Sequence, residues 1–455
     1  LAYAAAVLDR AGYDIRLIDA PVLGIDVQQL IQMVRQDCPD LIVLDTSTPS
    51  IVNDLKVAQS LKEGFPHSFI TLVGPHVTAL PEETLQQAPE VDALARGEYE
   101  LTLLDLADVL TYNTSHAEKR SLTSIEGLSF IEQGKIVHNP PRDYIHDLDT
   151  LPWVSRIYKK FLQPEHYFNP NAFYPMITLI SSRGCPFRCS FCLYPQTMTG
   201  RKFRFRSIPD VVDEMEFALE SFPQARAVFF EDDTLTANRL RCQEFAQEIM
   251  DRKLKVCWTA NSRVDPDYET LRLMHASGCR MLCVGFESGD ANVLAAMRKG
   301  TNKEKMFAFA RSAKKAGILI HGCFIFGFPG EDRQSVEKTI RLAIDLKPDT
   351  AQFYPVMVYP GTEAYEEYKQ KGWLTASSYA DWLTPEGLHN CVVRNEYLTS
   401  KELVRLCDYA RRRFYLRPRY FGYRLGKALQ DPAEIIRTAK AAKTFVKYLV
   451  KGSQV

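Results

Sequence analysis

RGCPFRCSFCLY, residues 183–194, carries Cys185, Cys189 and Cys192 in Cys-x3-Cys-x2-Cys spacing, directly after a short apolar run at 177–181. Three thiolates on one short loop can hold three irons of a [4Fe-4S] cluster, whose usual ligands are thiolates. The fourth iron is then left without a protein ligand, open to a substrate or cofactor. Structural zinc is the alternative metal, but it takes four closed ligands in paired cysteine form, and no partner pair follows here. The chain holds eleven cysteines in 455 residues, too sparse for a disulfide scaffold, and the odd number argues against complete pairing. A reduced, cytoplasmic setting is expected, where clustered cysteines bind metal or do chemistry. Cys279 and Cys283 also stand close in sequence, but at the start of an apolar strand, where cysteine is a common small core residue.

Working downstream, strand-like runs at 177–181, 227–231, 255–260, 281–286, 318–326 and 350–355 are each followed by a helical stretch. Six such units predict an α/β fold with a partial (β/α)6 barrel. Upstream, runs at 14–19 (DIRLID), 41–45 (LIVLD), 69–73 (FITLV) and 91–95 (VDALA) alternate with helices at 27–36, 52–63 and 81–87. This alternation predicts a Rossmann-like, doubly wound parallel sheet. Ligands on such sheets bind beyond the carboxyl ends of the strands. Those ends carry Thr46, Ser47 and Thr48; Gly74, Pro75 and His76; and Gly97, Glu98, Tyr99 and Glu100. All three loops are small or polar and suit close approach of a large polar ligand. Between the two series, 121–175 reads as a linker with one hairpin at 127–138, turning at Gln133 and Gly134. The expected domains are therefore 1–120, 121–175, 176–362 and a helical region at 363–455. Because the chain opens at Leu1 within a helix at 1–11, the first strand of the sheet is expected to be missing.

Composition sets limits. At roughly 100–200 residues per domain the length implies two to four domains, and 46% hydrophobic with 25% charged residues excludes a disordered or fibrous chain. Lys+Arg and Asp+Glu are each 56, which argues against a surface built to bind nucleic acid, and no such partner is expected. There is no apolar run of about 18–20 residues and no secretory signal pattern. The charge is uneven, however. Residues 411–455 hold 12 Lys/Arg against Asp431 and Glu434, a balance of +10, interleaved with Phe414, Tyr415, Tyr420, Phe421, Tyr423, Phe445 and Tyr448. Such a tail could make peripheral contact with an anionic membrane, bind RNA phosphates, or pack its aromatics on the barrel.

The cysteine motif, with Phe191 before its last cysteine at the end of a first barrel strand, resembles the radical S-adenosylmethionine (SAM) superfamily. The resemblance implies that SAM chelates the open iron. One electron from the cluster then cleaves it to methionine and a 5′-deoxyadenosyl radical, which abstracts hydrogen from an unactivated carbon. It implies contacts to the SAM amino group near Glu231, Asp232 and Asp233, after the second strand. Ribose and carboxylate contacts are implied at Asn261, Arg263, Glu287 and Ser288, and an adenine-facing backbone at 322–331 (GCFIFGFPGE), including Gly327. A carboxylate at a strand end is as often a helix N-cap, so it is the order and spacing across 176–362 that carry the resemblance.

With GPHVTALPEE (74–83) and RGEYE (96–100), the N-terminal domain is similar to the cobalamin-binding domains of the B12-dependent radical SAM class. That similarity implies cofactor contacts at Thr46, Ser47, Thr48, Gly74, Pro75, His76, Gly97 and Glu98. The Asp-x-His-x-x-Gly pattern of other B12 proteins is missing, so base-off cobalamin without a histidine ligand is expected. Two chemistries suit this pair of cofactors: C-methylation, with cobalamin as methyl carrier, or a radical rearrangement. Fragments at 46–62, 192–207, 231–238 and 321–331 look like the radical SAM enzymes of hopanoid biosynthesis that contract a sugar ring on a lipid head group. The 193–197 stretch (LYPQT) also resembles methyltransferases of the class. A small-molecule or lipid substrate and an external reductant of flavodoxin or ferredoxin type are implied. A non-catalytic cobalamin- or SAM-binding sensor is the alternative, and no residue is assigned to act on the substrate.

Overall fold

The computed structural model describes residues 1–430 and 453. The N-terminal sheet runs β1 (Leu41–Asp45), β2 (Phe69–Val73), β3 (Ala93–Ala95), β4 (Leu128–Glu132) and β5 (Lys135–His138), in that order. The first three strands are parallel, and Asp45, Val73 and Ala95 lie level in register. Their three following loops therefore form one edge, as a doubly wound domain requires. Two features differ from the sequence reading. The 14–19 segment forms no strand: Asp14 and Arg16 are exposed between half-buried neighbours, but no described strand lies beside it. Alternation without a neighbouring strand gives no ladder. The 127–138 hairpin turns where expected, at Gln133 (φ 50°) and Gly134 (φ 76°), a left-handed pair suited to a tight hairpin. It does not stand alone in a linker, however, because β4 pairs antiparallel with β3 and extends the sheet.

After β6 (Met176–Leu179), a small antiparallel pair, β7 (Ser182–Arg183) and β8 (Arg204–Phe205), brackets the cysteine loop. The larger sheet then continues through β9 (Ala227–Phe230), β10 (Trp258–Ser262), β11 (Cys279–Glu287), β12 (Leu319–Phe326) and β13 (Thr350–Pro355). All neighbours are parallel and sequential, and β6 and β13 remain as unpaired edges, so the barrel is partial. One face of each strand packs on the surrounding helices. Phe230, Phe245 and Trp258 meet edge-on, and Phe286, Phe324 and Phe353 stack at 5.8 and 5.1 Å. Burying each such ring contributes roughly 2–3 kcal/mol. The other face, carrying Asn261, Cys283, Cys323 and Tyr354, is only half-buried and lines the barrel interior.

The loops leaving this sheet end on polar caps. Asn238, Asp267, Asp290, Asn302, Asp332 and Thr362 each accept from a backbone amide in the first turn of the next helix. The C-terminal helix Ser400–Tyr415 lies on β13: Phe414 packs on Phe353, and the Tyr415 hydroxyl bonds both the amide and the carbonyl of Ala351. Within the described part of the basic stretch, Arg411 pairs with Asp408, Arg413 with Glu337, and Tyr420 bonds the Asp349 carbonyl. The remainder of that stretch, beyond 430, lies outside the described residues except at 453. No described helix is long and apolar enough to cross a membrane.

Candidate functional site

The cysteine loop leaves β7 through Gly184, whose φ of +83° and position 2.2 Å (for a notional Cβ) from the Lys202 carbonyl admit only glycine. Its amide donates to Asp233 Oδ2 at 2.9 Å, the Cys185 amide to the Gly200 carbonyl at 3.2 Å, and the Ser190 amide to the Met297 carbonyl at 3.0 Å. Cys185 and Cys189 are buried, Cys192 is half-buried, and none is in a disulfide. Burial, with the neighbouring Cys189 adding to it, raises the Cys185 thiol and pushes Cys192 up to about 12. A metal must therefore displace protons to bind here. Among the described residues no three His, Cys, Asp or Glu side chains converge on a single ion. An iron–sulfur cluster makes no such demand, because each thiolate takes a different iron. Two cations flank the loop: Arg263 donates to Cys189 Sγ at 3.8 Å and to the Lys299 carbonyl at 2.6 Å, and Lys299 lies near Cys189. Three thiols beside two buried cations fit an anionic three-thiolate cluster.

The residues expected to meet SAM gather at the same barrel mouth, but they are engaged in different ways. Phe191 stands edge-on to Phe328 at 5.3 Å, which joins the cysteine loop to the 327–331 turn. Glu231 is exposed at the mouth; thin solvation and then the charge of Asp232 raise its carboxyl, and Asn261 lies beside it. Asp232 is buried and turned inward, accepting from the Ser181 amide at 2.8 Å, the Ser181 hydroxyl at 2.7 Å and Ser182. Asp233 holds Gly184 and the Thr199 hydroxyl. Arg263 points to the cluster loop, with its guanidinium 3.6 Å above the Phe187 ring. Glu287, at φ +65°, bonds Lys299 Nζ at 2.7 Å through Oε1, while its buried Oε2 has no protein partner. An unpartnered buried carboxylate oxygen at a strand end is open to a ligand hydroxyl or ammonium. Ser288 is fully buried against Thr339 and the Asp290 amide. Gly327, at φ +111°, accepts from Tyr368 and donates to Glu331.

On the N-terminal sheet edge, a Cβ on Gly74 would sit 2.3 Å from the Thr46 carbonyl, so the ends of β1 and β2 approach backbone to backbone. Thr46 bonds the Val73 carbonyl at 2.7 Å, and Ser47 pairs with the Ser50 hydroxyl at 2.8 Å. His76, beside buried Pro75, bonds Thr48 at 3.1 Å and meets the Tyr379 ring edge-on at 4.9 Å. Burial pulls its imidazole down to about 4, so it is neutral. The Gly97 amide donates to Thr78. Glu98 does not face an open ligand surface: both oxygens are taken by Arg204, at 2.6 and 2.9 Å, with the Ile145 amide also at 2.9 Å.

Lys299, Arg183, Arg204 and Glu331 were not singled out from the sequence. Arg183 and Arg204 act through Glu100 and Glu98, far along the chain, while Lys299 and Glu331 act through the nearer Glu287 and Gly327, and none of the four lies in a spacing pattern that marks it. The two sites adjoin. The short helix Pro75–Ala79 packs on Tyr194–Thr197, which follows Cys192 directly. Thr78 reaches Met198 Sδ at 3.6 Å, and a Cβ on Gly361 would meet both Thr197 and Ala79 within 3 Å.

Residues 179–343 match the Radical SAM superfamily, and residues 1–107 match the B12 binding domain. The chain is 31% identical over 420 residues to an uncharacterized methyltransferase of Pyrococcus horikoshii, covering 92% of this chain and 88% of that protein. It is 28% identical over 432 residues to an anaerobic magnesium-protoporphyrin IX monomethyl ester cyclase of Cereibacter sphaeroides, covering 93% and 68%. The structure of the radical SAM methyltransferase TsrM from Kitasatospora setae, with cobalamin and a [4Fe-4S] cluster bound, has the same fold: the TM-score is 0.71 at 16% identity, over 90% of this chain and 85% of that one. With its cysteine loop set against the edge of its B12 domain, the chain belongs to the cobalamin-binding radical SAM enzymes, which use a [4Fe-4S] cluster, SAM and cobalamin.

Proposed function

We propose that this enzyme transfers a methyl group from SAM to an unactivated carbon of a small-molecule substrate. The observation that supports the reading is the direct contact of Pro75–Ala79 with Tyr194–Thr197, which brings the expected cobalamin edge beside the cysteine loop. When bound, the cluster supplies single electrons to SAM, and cobalamin supplies a carrier for the methyl group. The chain's own groups hold and orient the reactants. Gly74 lets the end of β2 close on the Thr46 backbone and so fixes the small, polar loops of the cofactor edge, and Glu287 Oε2 and Lys299 offer an acceptor and a cation at the barrel mouth. Glu231 adds an exposed carboxyl at the same mouth. The electron comes from an external donor of flavodoxin or ferredoxin type. The relative named a methyltransferase over nearly the whole chain supports methylation. The sequence fragments similar to hopanoid-type enzymes support a second reading, ring contraction on a lipid head group.

One experiment separates the two. The reconstituted enzyme is incubated anaerobically with methyl-deuterated SAM, a reductant and a fractionated small-molecule and lipid extract. A product carrying the deuterated methyl supports methylation. An isomer of unchanged composition, formed together with 5′-deoxyadenosine, overturns it in favour of rearrangement.

A further inference from the structure

Four charged residues, each at most 7% exposed, meet where the N-terminal sheet abuts the cysteine loop. Glu98 and Glu100 follow β3, Arg183 ends β7 and Arg204 opens β8. Arg204 grips both oxygens of Glu98, at 2.6 and 2.9 Å, and its two terminal nitrogens also donate to the carbonyls of Ile145 and Thr199. Arg183 donates to Glu100 at 2.6 Å and lies 3.4 Å from Glu98, so one carboxylate is shared by both guanidinium groups.

Stability alone does not explain this arrangement. The desolvation of buried ion pairs largely offsets their attraction, and apolar residues of similar volume hold two surfaces together as well or better. What a bidentate guanidinium–carboxylate pair adds is direction, because the planar fork fixes angle as well as distance. The location gives that direction a use. Arg183 stands two residues before Cys185 and pairs with Arg204 across β7 and β8, the strands that bracket the whole cysteine loop. Glu98 and Glu100 stand on the sheet edge that carries the cobalamin-binding loops.

We infer that Glu98, Glu100, Arg183 and Arg204 form an interdomain clamp that fixes the separation and orientation of the iron–sulfur cluster relative to cobalamin. They are positioning residues and touch neither cofactor. The inference rests on the family assignment and is independent of whether the site methylates or rearranges its substrate.

The test uses holoenzyme loaded with cluster and cobalamin and reduced until both centres are paramagnetic. The distance distribution between the two spins is measured by pulsed electron paramagnetic resonance, with iron and cobalamin content and thermal unfolding recorded in parallel. In Glu98→Met/Arg204→Met, which removes the charges as a pair, both cofactors are expected to remain bound and unfolding to occur no earlier than in wild type. The distance distribution is expected to be about twofold wider, because the fork no longer sets the angle. A distribution as narrow as wild type in this variant overturns the clamp. If the double variant does not fold, Arg204→Lys, which keeps the charge and loses the fork, is read by the same criterion: widening supports the clamp, and a wild-type width overturns it.

Discussion

Arg263 donates to Cys189 Sγ at 3.8 Å while its guanidinium lies 3.6 Å above the Phe187 ring. A fixed positive charge and an N–H···S contact stabilise the more negative, reduced form of an iron–sulfur cluster and so raise its potential. Arg263→Met is expected to retain the cluster and to lower its midpoint potential on the order of 60 mV, the equivalent of a tenfold change in a one-electron equilibrium. Arg263→Lys keeps the charge and is expected to recover part of the shift. A redox titration followed by electron paramagnetic resonance checks this, and an unchanged potential in Arg263→Met contradicts it.

Gly184 and Gly134 have similar backbone angles, φ +83° and +76°, but different surroundings. A Cβ on Gly184 meets the Lys202 carbonyl at 2.2 Å, whereas one on Gly134 meets nothing within 4 Å. Alanine at Gly134 is expected to cost only the left-handed strain, about 1 kcal/mol, with full iron content. Gly184→Ala must shift the cysteine loop, and its iron content after reconstitution is expected to fall well below that of Gly134→Ala. Equal iron content in the two variants contradicts the account.

His76 is buried against Thr48 and Tyr379, and burial lowers its pKa from 6.5 to about 4. The unfolded chain binds a proton there that the folded one refuses, so the stability held above pH 6.5 is lost as pH falls through about 4. His76→Gln removes this titration. Its unfolding midpoint is expected to decline less between pH 6.5 and 4 than that of wild type, as measured by denaturant titration at each pH.

Glu331 has the opposite sign. Its fully buried carboxyl accepts from the Gly327 amide, has one unpartnered oxygen, and is pushed by burial from 4.5 up to about 8. Its contribution is complete below pH 4.5 and is lost as pH rises through about 8, because the folded chain holds a proton that the unfolded chain has released. Glu331→Gln mimics the protonated form, and its stability is expected to be flatter across that window than that of wild type.

Much of the architecture is legible in the sequence because parallel strands buried on at least one face leave short apolar runs. β1, β2 and β13 begin and end where those runs do. The segment at 14–19 carries the same pattern without a partner strand, and the destination of the hairpin at 127–138 depends on β3, which lies more than thirty residues away in sequence. The cysteine loop is equally plain, since Cys185, Cys189 and Cys192 fall within eight residues. Roles at the other strand ends are not. Asp232 turns inward because Ser181 and Ser182 stand beside it, and Glu98 turns to Arg204 across a domain boundary. Sequence spacing assigns a residue to the end of a strand; the side chains that face it from distant segments decide what it binds.

The central claim is tested most directly by product stoichiometry with reconstituted holoenzyme, methyl-deuterated SAM and the substrate isolated by its label. The account predicts equal amounts of S-adenosylhomocysteine and 5′-deoxyadenosine for each labelled product, with neither formed at an appreciable rate by Cys192→Ala. 5′-Deoxyadenosine released with an unlabelled product, and without S-adenosylhomocysteine, would contradict it.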